Sequence, residues 1–305
     1  MTKPGVGVLC AAALSVVVPA HRAAGQAGAG RSGPESPGET LPETLTLTGV
    51  VRDFRAFNVA GGHPDFERYS TGHRVEMVEP ELDGDGKPLL AGQGRTVTAQ
   101  FRDSQGRNIN PAMFDAARGD VAGVLADATA TAVTNAASFA QWYRDTPGIN
   151  LSKPHAIVLQ RQAASNLYVF EATNNPATQA IEGFFPADHD LYNDMIPAYG
   201  HNYFFTFELS ATFVYRRGTG QVFTFAGDDD VWVFIDNRLV IDVGGVHGPV
   251  TQTIDLDRID GLEDGQAYPL KFFFAERHTT GSNCRIETSL TLVPAELPAT
   301  SALYD

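Results

Sequence analysis

Three consecutive carboxylates, Asp228-Asp229-Asp230, stand directly before the apolar run Val231-Trp232-Val233-Phe234-Ile235. Adjacent like charges repel, and the start of a β-strand offers no compensating dipole. A bound hard cation removes that conflict. Calcium takes six to eight oxygen ligands at roughly 2.3–2.6 Å, and neighbouring carboxylates on a tight loop can supply several of them. A solvated acidic turn accounts for the same residues without a ligand, and composition does not separate the two. His247 follows Gly244-Gly245, where the backbone can turn sharply. It reads either as a ligand-contacting residue beside the acidic loop or as a structural histidine bonded to a backbone carbonyl. Glu276 and Arg277 end an apolar stretch and form either a polar network around that loop or a local ion pair. Trp232 alternates with Val231 and Val233 and reads as core; Tyr199, Tyr203 and Trp142 are the surface aromatic candidates.

Other chemistries find little support. There is no His-Glu-x-x-His helix, no Gly-x-Ser-x-Gly elbow, no Gly-x-x-x-x-Gly-Lys loop and no Cys-x-x-Cys pair. Asp83-Gly84-Asp85-Gly86 opens like a calcium loop, but the twelfth position falls on Gly94, where such a loop needs glutamate. Turn chemistry explains it. Glycoside hydrolysis needs only two facing carboxylates, and nothing in the sequence selects such a pair.

The elements that must position the acidic run are strands. The chain has 305 residues, with 30 glycines, 18 prolines and 19 phenylalanines, which suits a turn-rich all-β fold. Its net charge of −14 is unsuited to nucleic acid, whose phosphates need a cationic face. Leu45 and Leu47 alternate with threonines, and Ile286, Thr288, Leu290 and Leu292 alternate with polar residues, as in strands with one wet face. The unbroken run from Val231 to Ile235 predicts a strand covered on both faces. Asp236-Asn237 predicts a two-residue hairpin turn leading into Leu239–Val243. The Ala-rich stretch between Pro111 and Asp145 is the best helical candidate. The expectation is a mostly β sandwich or barrel with an N-terminal elaboration containing a short helical region.

Lys3 followed by the apolar Val6–Val18 stretch, with small residues at Val18-Pro19-Ala20 or Ala23-Gly25, reads as a secretory leader. No other run approaches a membrane span. Residues 1–25 are expected to be signal peptide and 26–43 a flexible linker. The tail covers 294–305. Loss of the leader removes Cys10 and leaves Cys284 alone, either a buried small residue or a free thiol.

The stretch Phe223-Thr224-Phe225-Ala226-Gly227-Asp228-Asp229-Asp230-Val231-Trp232-Val233-Phe234, with Leu239-Val240-Ile241-Asp242-Val243-Gly244-Gly245-Val246-His247 after it, resembles the signature of the fibro-slime family, a subset of PA14-like β-barrel domains. Gly49–Phe54, His63-Pro64-Asp65-Phe66-Glu67, Trp142–Asn150, Phe274–His278 and Ser282-Asn283-Cys284 are similar to further family segments in the same order. The resemblance covers roughly Leu45 to Leu292. It assigns 44–200 to the N-terminal part of the fibro-slime domain and 201–293 to the PA14-like β core.

By position, the resemblance implies calcium held by Asp228 and Asp229, two successive aspartates often joined by a cis peptide, with Asn283 as a further ligand. The metal would also bind vicinal sugar hydroxyls. Asp230 stands where sugar-binding members often carry glycine; it is either a third ligand or turned away onto backbone amides. The ligand-binding candidates are thus Asp228, Asp229, Asp230, His247, Glu276 and Asn283, and no catalytic residue is assigned. The expected function is a secreted, calcium-dependent glycan-binding or adhesion module of the cell surface or extracellular matrix, not an enzyme. Its partner would be an extracellular glycan or a cell-surface or matrix component, with the periplasm left open as a location. The alternatives are a structural matrix protein without a small ligand and an extracellular polysaccharide hydrolase.

Overall fold

The computed structural model describes residues 41–172 and 182–295. The expected leader, most of the linker and the tail beyond residue 295 lie outside the described residues. Strands in chain order are β1 (Thr44–Asp53), β2 (Arg74–Val75), β3 (Arg95–Ala99), β4 (Val124–Asp127), β5 (Leu151–Arg161), β6 (Tyr168–Ala172) and β7 (Phe205–Val214). Then come β8 (Val222–Gly227), β9 (Asp230–Ile235), β10 (Arg238–Val243), β11 (Val250–Asp255), β12 (Ala267–Glu276), β13 (Cys284–Thr288) and β14 (Val293–Pro294). Eleven of them join one antiparallel sheet in the order β10-β9-β12-β7-β1-β5-β6-β13-β8-β11, with β14 alongside β7. Strands from both halves of the sequence therefore interleave. β2, β3 and β4 form a small separate sheet.

The large sheet curls into a nearly closed barrel. Its two end strands, β10 and β11, meet through a side chain. The Asp242 amide donates to Gln252 Oε1 at 2.8 Å, and Gln252 Nε2 donates to the Asp242 carbonyl at 3.0 Å. The glutamine amide thus stands in for a peptide group of a neighbouring strand and satisfies a buried edge.

β9 shows why its sequence carries no polar alternation. Val231, Val233 and Ile235 enter the barrel core with Phe207, Phe225, Phe272 and Phe274. Trp232 and Phe234 point the other way, into a second core with Phe54, Phe66, Phe139, Trp142 and Phe273. That second core is roofed by residues 54–143, so the strand is covered twice. The hairpin turn is as expected: Asp236 and Asn237 hold positive φ of 49° and 62°, and Ile235 pairs with Arg238.

The stretch from Pro111 to Asp145 holds the expected short helical region as brief turns, not as one continuous helix. It contains two 3-10 turns at Pro111–Met113 and Ala116–Arg118, strand β4, and one α-helical turn at Ala136–Phe139 capped by Asn135. Gly119 ends the second turn in a left-handed conformation. A Cβ on Gly123 would lie 2.2 Å from the Ala99 carbonyl oxygen, so glycine there lets the chain turn onto β3. Val121 and Val124 are 60 % and 55 % exposed and supply no buried helical face.

Asp53, fully buried at the end of β1, accepts from Asn202 Nδ2 and from the Tyr192 amide, both at 2.8 Å. It pins the segment leading into β7. Burial outweighs these bonds and pushes its carboxyl up to about 7. Between about pH 4 and 7 the folded state then holds a proton that the unfolded chain has lost, so the stability from this group declines as pH rises through that window.

Two outcomes are expected. Gln252→Leu leaves the Asp242 amide without its acceptor and should cost about 1–3 kcal/mol in urea unfolding; an unchanged midpoint would show that the barrel closes by other means. Asp53→Asn should lose less stability than the parent as pH rises from 4 to 7, the gap changing by up to about 1.4 kcal/mol per pH unit. A pH-independent offset between the two proteins would show that Asp53 titrates at its ordinary value.

Candidate functional site

β8 ends at Gly227 and β9 begins at Asp230, yet these strands are not neighbours. Asp228 and Asp229 therefore cross the mouth of the barrel. The peptide between them is cis, as is Thr279–Thr280 facing it. Glycines let the surrounding chain approach. A Cβ on Gly227 would sit 1.9 Å from the Asn283 carbonyl oxygen, and one on Gly281 would sit 2.9 Å from Asp228 Oδ2.

The three carboxylates part ways. Asp228 accepts from the Asn283 amide and, at 2.8 Å, from Asn283 Nδ2. Asp229 accepts from the His247 amide at 3.1 Å and the Arg277 amide at 3.2 Å. Asp230 turns inward: Oδ1 accepts from the Gly245 amide at 2.7 Å, and Oδ2 pairs with Arg277 Nε at 2.6 Å. Of the two roles open to Asp230, the structure shows the one bonded to protein groups. Gly245 has φ of 87° and packs on Gly72 and Thr71, which aims its amide at that carboxylate.

Arg277 organises the mouth. Its guanidinium is fully buried, lies 4.7 Å from the centre of the Trp142 ring, and donates to the carbonyls of Ala132 at 3.0 Å and Asp65 at 3.3 Å. Asp65 is held in turn by the Thr134 amide and by Trp142 Nε1. Glu67 binds the Thr279 amide and hydroxyl, each at 3.0 Å. The His63–Glu67 and Trp142 motifs thus build the wall behind Arg277.

One arginine does not balance the site. Asp228, Asp229, Asp230 and Glu276 are all buried at the mouth. Burial raises the Asp229 carboxyl well above its ordinary range; Arg277 opposes the shift, while Asp230 and Asp228 add to it. Glu276 is likewise raised well above its ordinary range by burial, then by Asp229 and Asp228. Among the described residues, Glu276 Oε2 has no hydrogen-bond partner within normal distance and angle. His247 sits beside this cluster with Nδ1 paired to the Gly248 carbonyl at 2.7 Å, the structural role, while its buried Nε2 has no partner among the described residues. Burial lowers its pKa. Among the described residues, no group of three or more His, Cys, Asp or Glu side chains is arranged to hold a metal ion.

The structure therefore brings together all six sequence candidates: Asp228, Asp229, Asp230, His247, Glu276 and Asn283. Arg277 was open to two readings, a polar network around the acidic loop or a local ion pair, and in the structure it bonds to Asp229 and Asp230; Asp65 and Glu67 were legible only as parts of a motif. Two surface aromatic candidates are corrected. Trp142 and Tyr203 are fully buried, because the 54–143 roof needs large side chains beneath it. Burial, with Glu276 and Asp188 nearby, pushes the Tyr203 phenol up to about 12. Trp232 is core, with Nε1 donating to Asp242 Oδ1 at 3.1 Å. Cys284 is buried.

Residues 187–298 match the PA14 domain family. Among curated proteins the chain is similar to three from Dictyostelium discoideum. Protein psiR is 33% identical over 253 residues, covering 81% of this chain and 21% of the relative. Protein psiD is 32% identical over 257 residues, covering 82% and 42%. Protein psiC is 39% identical over 169 residues, covering 53% and 30%. The chain thus spans less than half the length of these relatives. Among solved structures, a β-glucosidase from Kluyveromyces marxianus is 14% identical over 45% of this chain and 18% of its own, with a TM-score of 0.23. That overlap is too small to bear on fold or chemistry.

Arg277→Met should destabilise the protein by about 3–5 kcal/mol, because it strands the buried Asp230 carboxylate. Adding Asp230→Asn should recover part of that loss in urea unfolding. A single-variant cost below about 1 kcal/mol would show that the pair does not hold the mouth together.

Proposed function

We propose that this chain, which has a PA14-like β fold and matches the PA14 domain family over residues 187–298, is a secreted, calcium-dependent glycan-binding or adhesion module of the cell surface or extracellular matrix. The observation that carries the proposal is the charge at the barrel mouth. Among the described residues, four buried carboxylates share one arginine, and an oxygen of Glu276 is left without a partner. A divalent cation is the simplest group that lowers the energy of such a cluster. Asp228, Asp229 and Asn283 are the residues that would hold it. The ready side-chain ligand set is small, so carbonyl oxygens must contribute, which suits calcium more than metals that favour nitrogen or sulfur. When bound, the ion supplies open coordination positions for sugar hydroxyls. The chain's own part is to fix the two aspartates through the Asn283, His247 and Arg277 amides and to hold Asp230 away on Arg277.

A second reading has its own support. Those same amides already satisfy much of the carboxylates' hydrogen-bonding capacity. A structural matrix protein whose mouth is shaped by carboxylate–amide bonds would show this pattern with no ligand. Polysaccharide hydrolysis is less favoured, because it needs two carboxyl groups facing each other across a cleft, and the Asp230 carboxylate is committed to Arg277 and Gly245.

The calcium-binding reading predicts a higher melting temperature in millimolar calcium than in excess chelator, since a ligand bound only to the folded state stabilises it. At a hundredfold excess over Kd the gain is about 2.7 kcal/mol. Asp229→Asn should abolish most of that difference while leaving the fold intact by circular dichroism. Identical melting in calcium and in chelator would remove the metal and leave the structural reading.

A further inference from the structure

A cavity of about 410 Å³, lined by none of the mouth residues, opens on the sheet where β1, β7 and β12 run side by side. Thr48 and Gly49 come from β1, Glu208 and Ser210 from β7, Lys271 from β12, and Lys87 from the turn after Asp83. The turn is fixed by Asp83, whose Oδ1 accepts from the Asp85 and Lys87 amides. Asp85 is at the rim, with its carboxylate 3.6 Å from Arg144.

The charges in this cleft pair off with one left over. Glu208 takes Lys87 Nζ on both oxygens, at 2.6 and 2.5 Å, and Arg52 Nη1 at 3.0 Å. Arg52 is also held by Asp145 at 2.8 Å. Lys271 Nζ meets only the Gly86 carbonyl, at 3.2 Å, among the described residues. A Cβ on Gly86 would lie 2.0 Å from that nitrogen, so glycine keeps room for the ammonium there. In a chain of net charge −14, a half-buried ammonium that no carboxylate pairs with among the described residues is against the prevailing field, even though Glu208 and Asp85 also line the cleft. Thr48 and Ser210, each with a side-chain hydroxyl, also line the cleft.

We infer that this cleft is a second binding site, for a carboxylate-bearing saccharide anchored through the Lys271 ammonium. The volume falls in the range of small-molecule sites and has room for one or two sugar rings. A uronic acid matches the lining: one carboxylate for Lys271, and ring hydroxyls for Thr48, Ser210 and the Glu208 oxygens. A charge-assisted bond from an ammonium to a carboxylate is stronger than one between neutral groups, so the acid should be preferred to its neutral counterpart. The site is independent of calcium.

The test is titration of the full chain, in chelator, with D-glucuronate, D-glucose and acetate, followed by calorimetry or ligand-observed NMR. Glucuronate should saturate at millimolar concentration and bind at least tenfold more tightly than glucose or acetate. Lys271→Met should weaken glucuronate at least tenfold, and Lys271→Arg should restore most of the affinity, with circular dichroism confirming that both variants fold. Equal affinity for glucuronate and glucose overturns the inference, as does acetate binding as well as glucuronate, or Lys271→Met binding unchanged. Because chelator is present throughout, failure here leaves the calcium-dependent melting response untouched.

Discussion

Positive charge is scarce at the mouth of this barrel, and the rest of the architecture follows from that scarcity. Among the described residues, Arg277 is the one cation buried against Asp228, Asp229, Asp230 and Glu276, and it pairs side chain to side chain only with Asp230. Burying a guanidinium is costly unless it is paired and hydrogen-bonded. Here the offset comes from a carboxylate, two backbone carbonyls and the face of Trp142. Each of those partners lies in a different part of the chain, so the long excursion from residue 54 to residue 143 is needed to complete the site.

That excursion explains the two cores. A PA14-like barrel alone would leave Trp232, Phe234 and Phe273 on a wet outer face. Covering them with Phe54, Phe66, Phe139 and Trp142 buries large aromatic surface, each ring worth a few kcal/mol on transfer from water. The same roof delivers Asp65 and Glu67 to the segment 277–279. Stability and site geometry thus share residues, and changes to the roof should reach the mouth through Arg277.

Much of this was legible in the sequence where the physics is local. The apolar run Val231–Ile235, the Asp236-Asn237 turn and the alternation in β1 and β13 each report their surroundings directly. The acidic run reported its own repulsion, and the family resemblance placed Asn283 opposite it. The rest depended on contacts between distant segments. Nothing local in Arg277 distinguishes a buried partner of Asp230 from a surface arginine. Gln252 shows no sign that its amide replaces a strand edge. In the Ala-rich stretch composition favours a helix, while Gly119 and Gly123 and pairing with β3 keep the helical part to brief turns. The strand order, with β1, β5 and β6 set among later strands, is likewise non-local.

The cation site we propose lies among the buried carboxylates of the barrel mouth, held by Asp228, Asp229 and Asn283. A crystal structure of the protein grown in millimolar calcium, with anomalous scattering collected to locate the ion, tests it most directly. The expected result is a single calcium peak with oxygens of Asp228 and Asp229 at roughly 2.3–2.6 Å. Clear density for both side chains bonded only to their amide partners, with no anomalous peak between them, would contradict it.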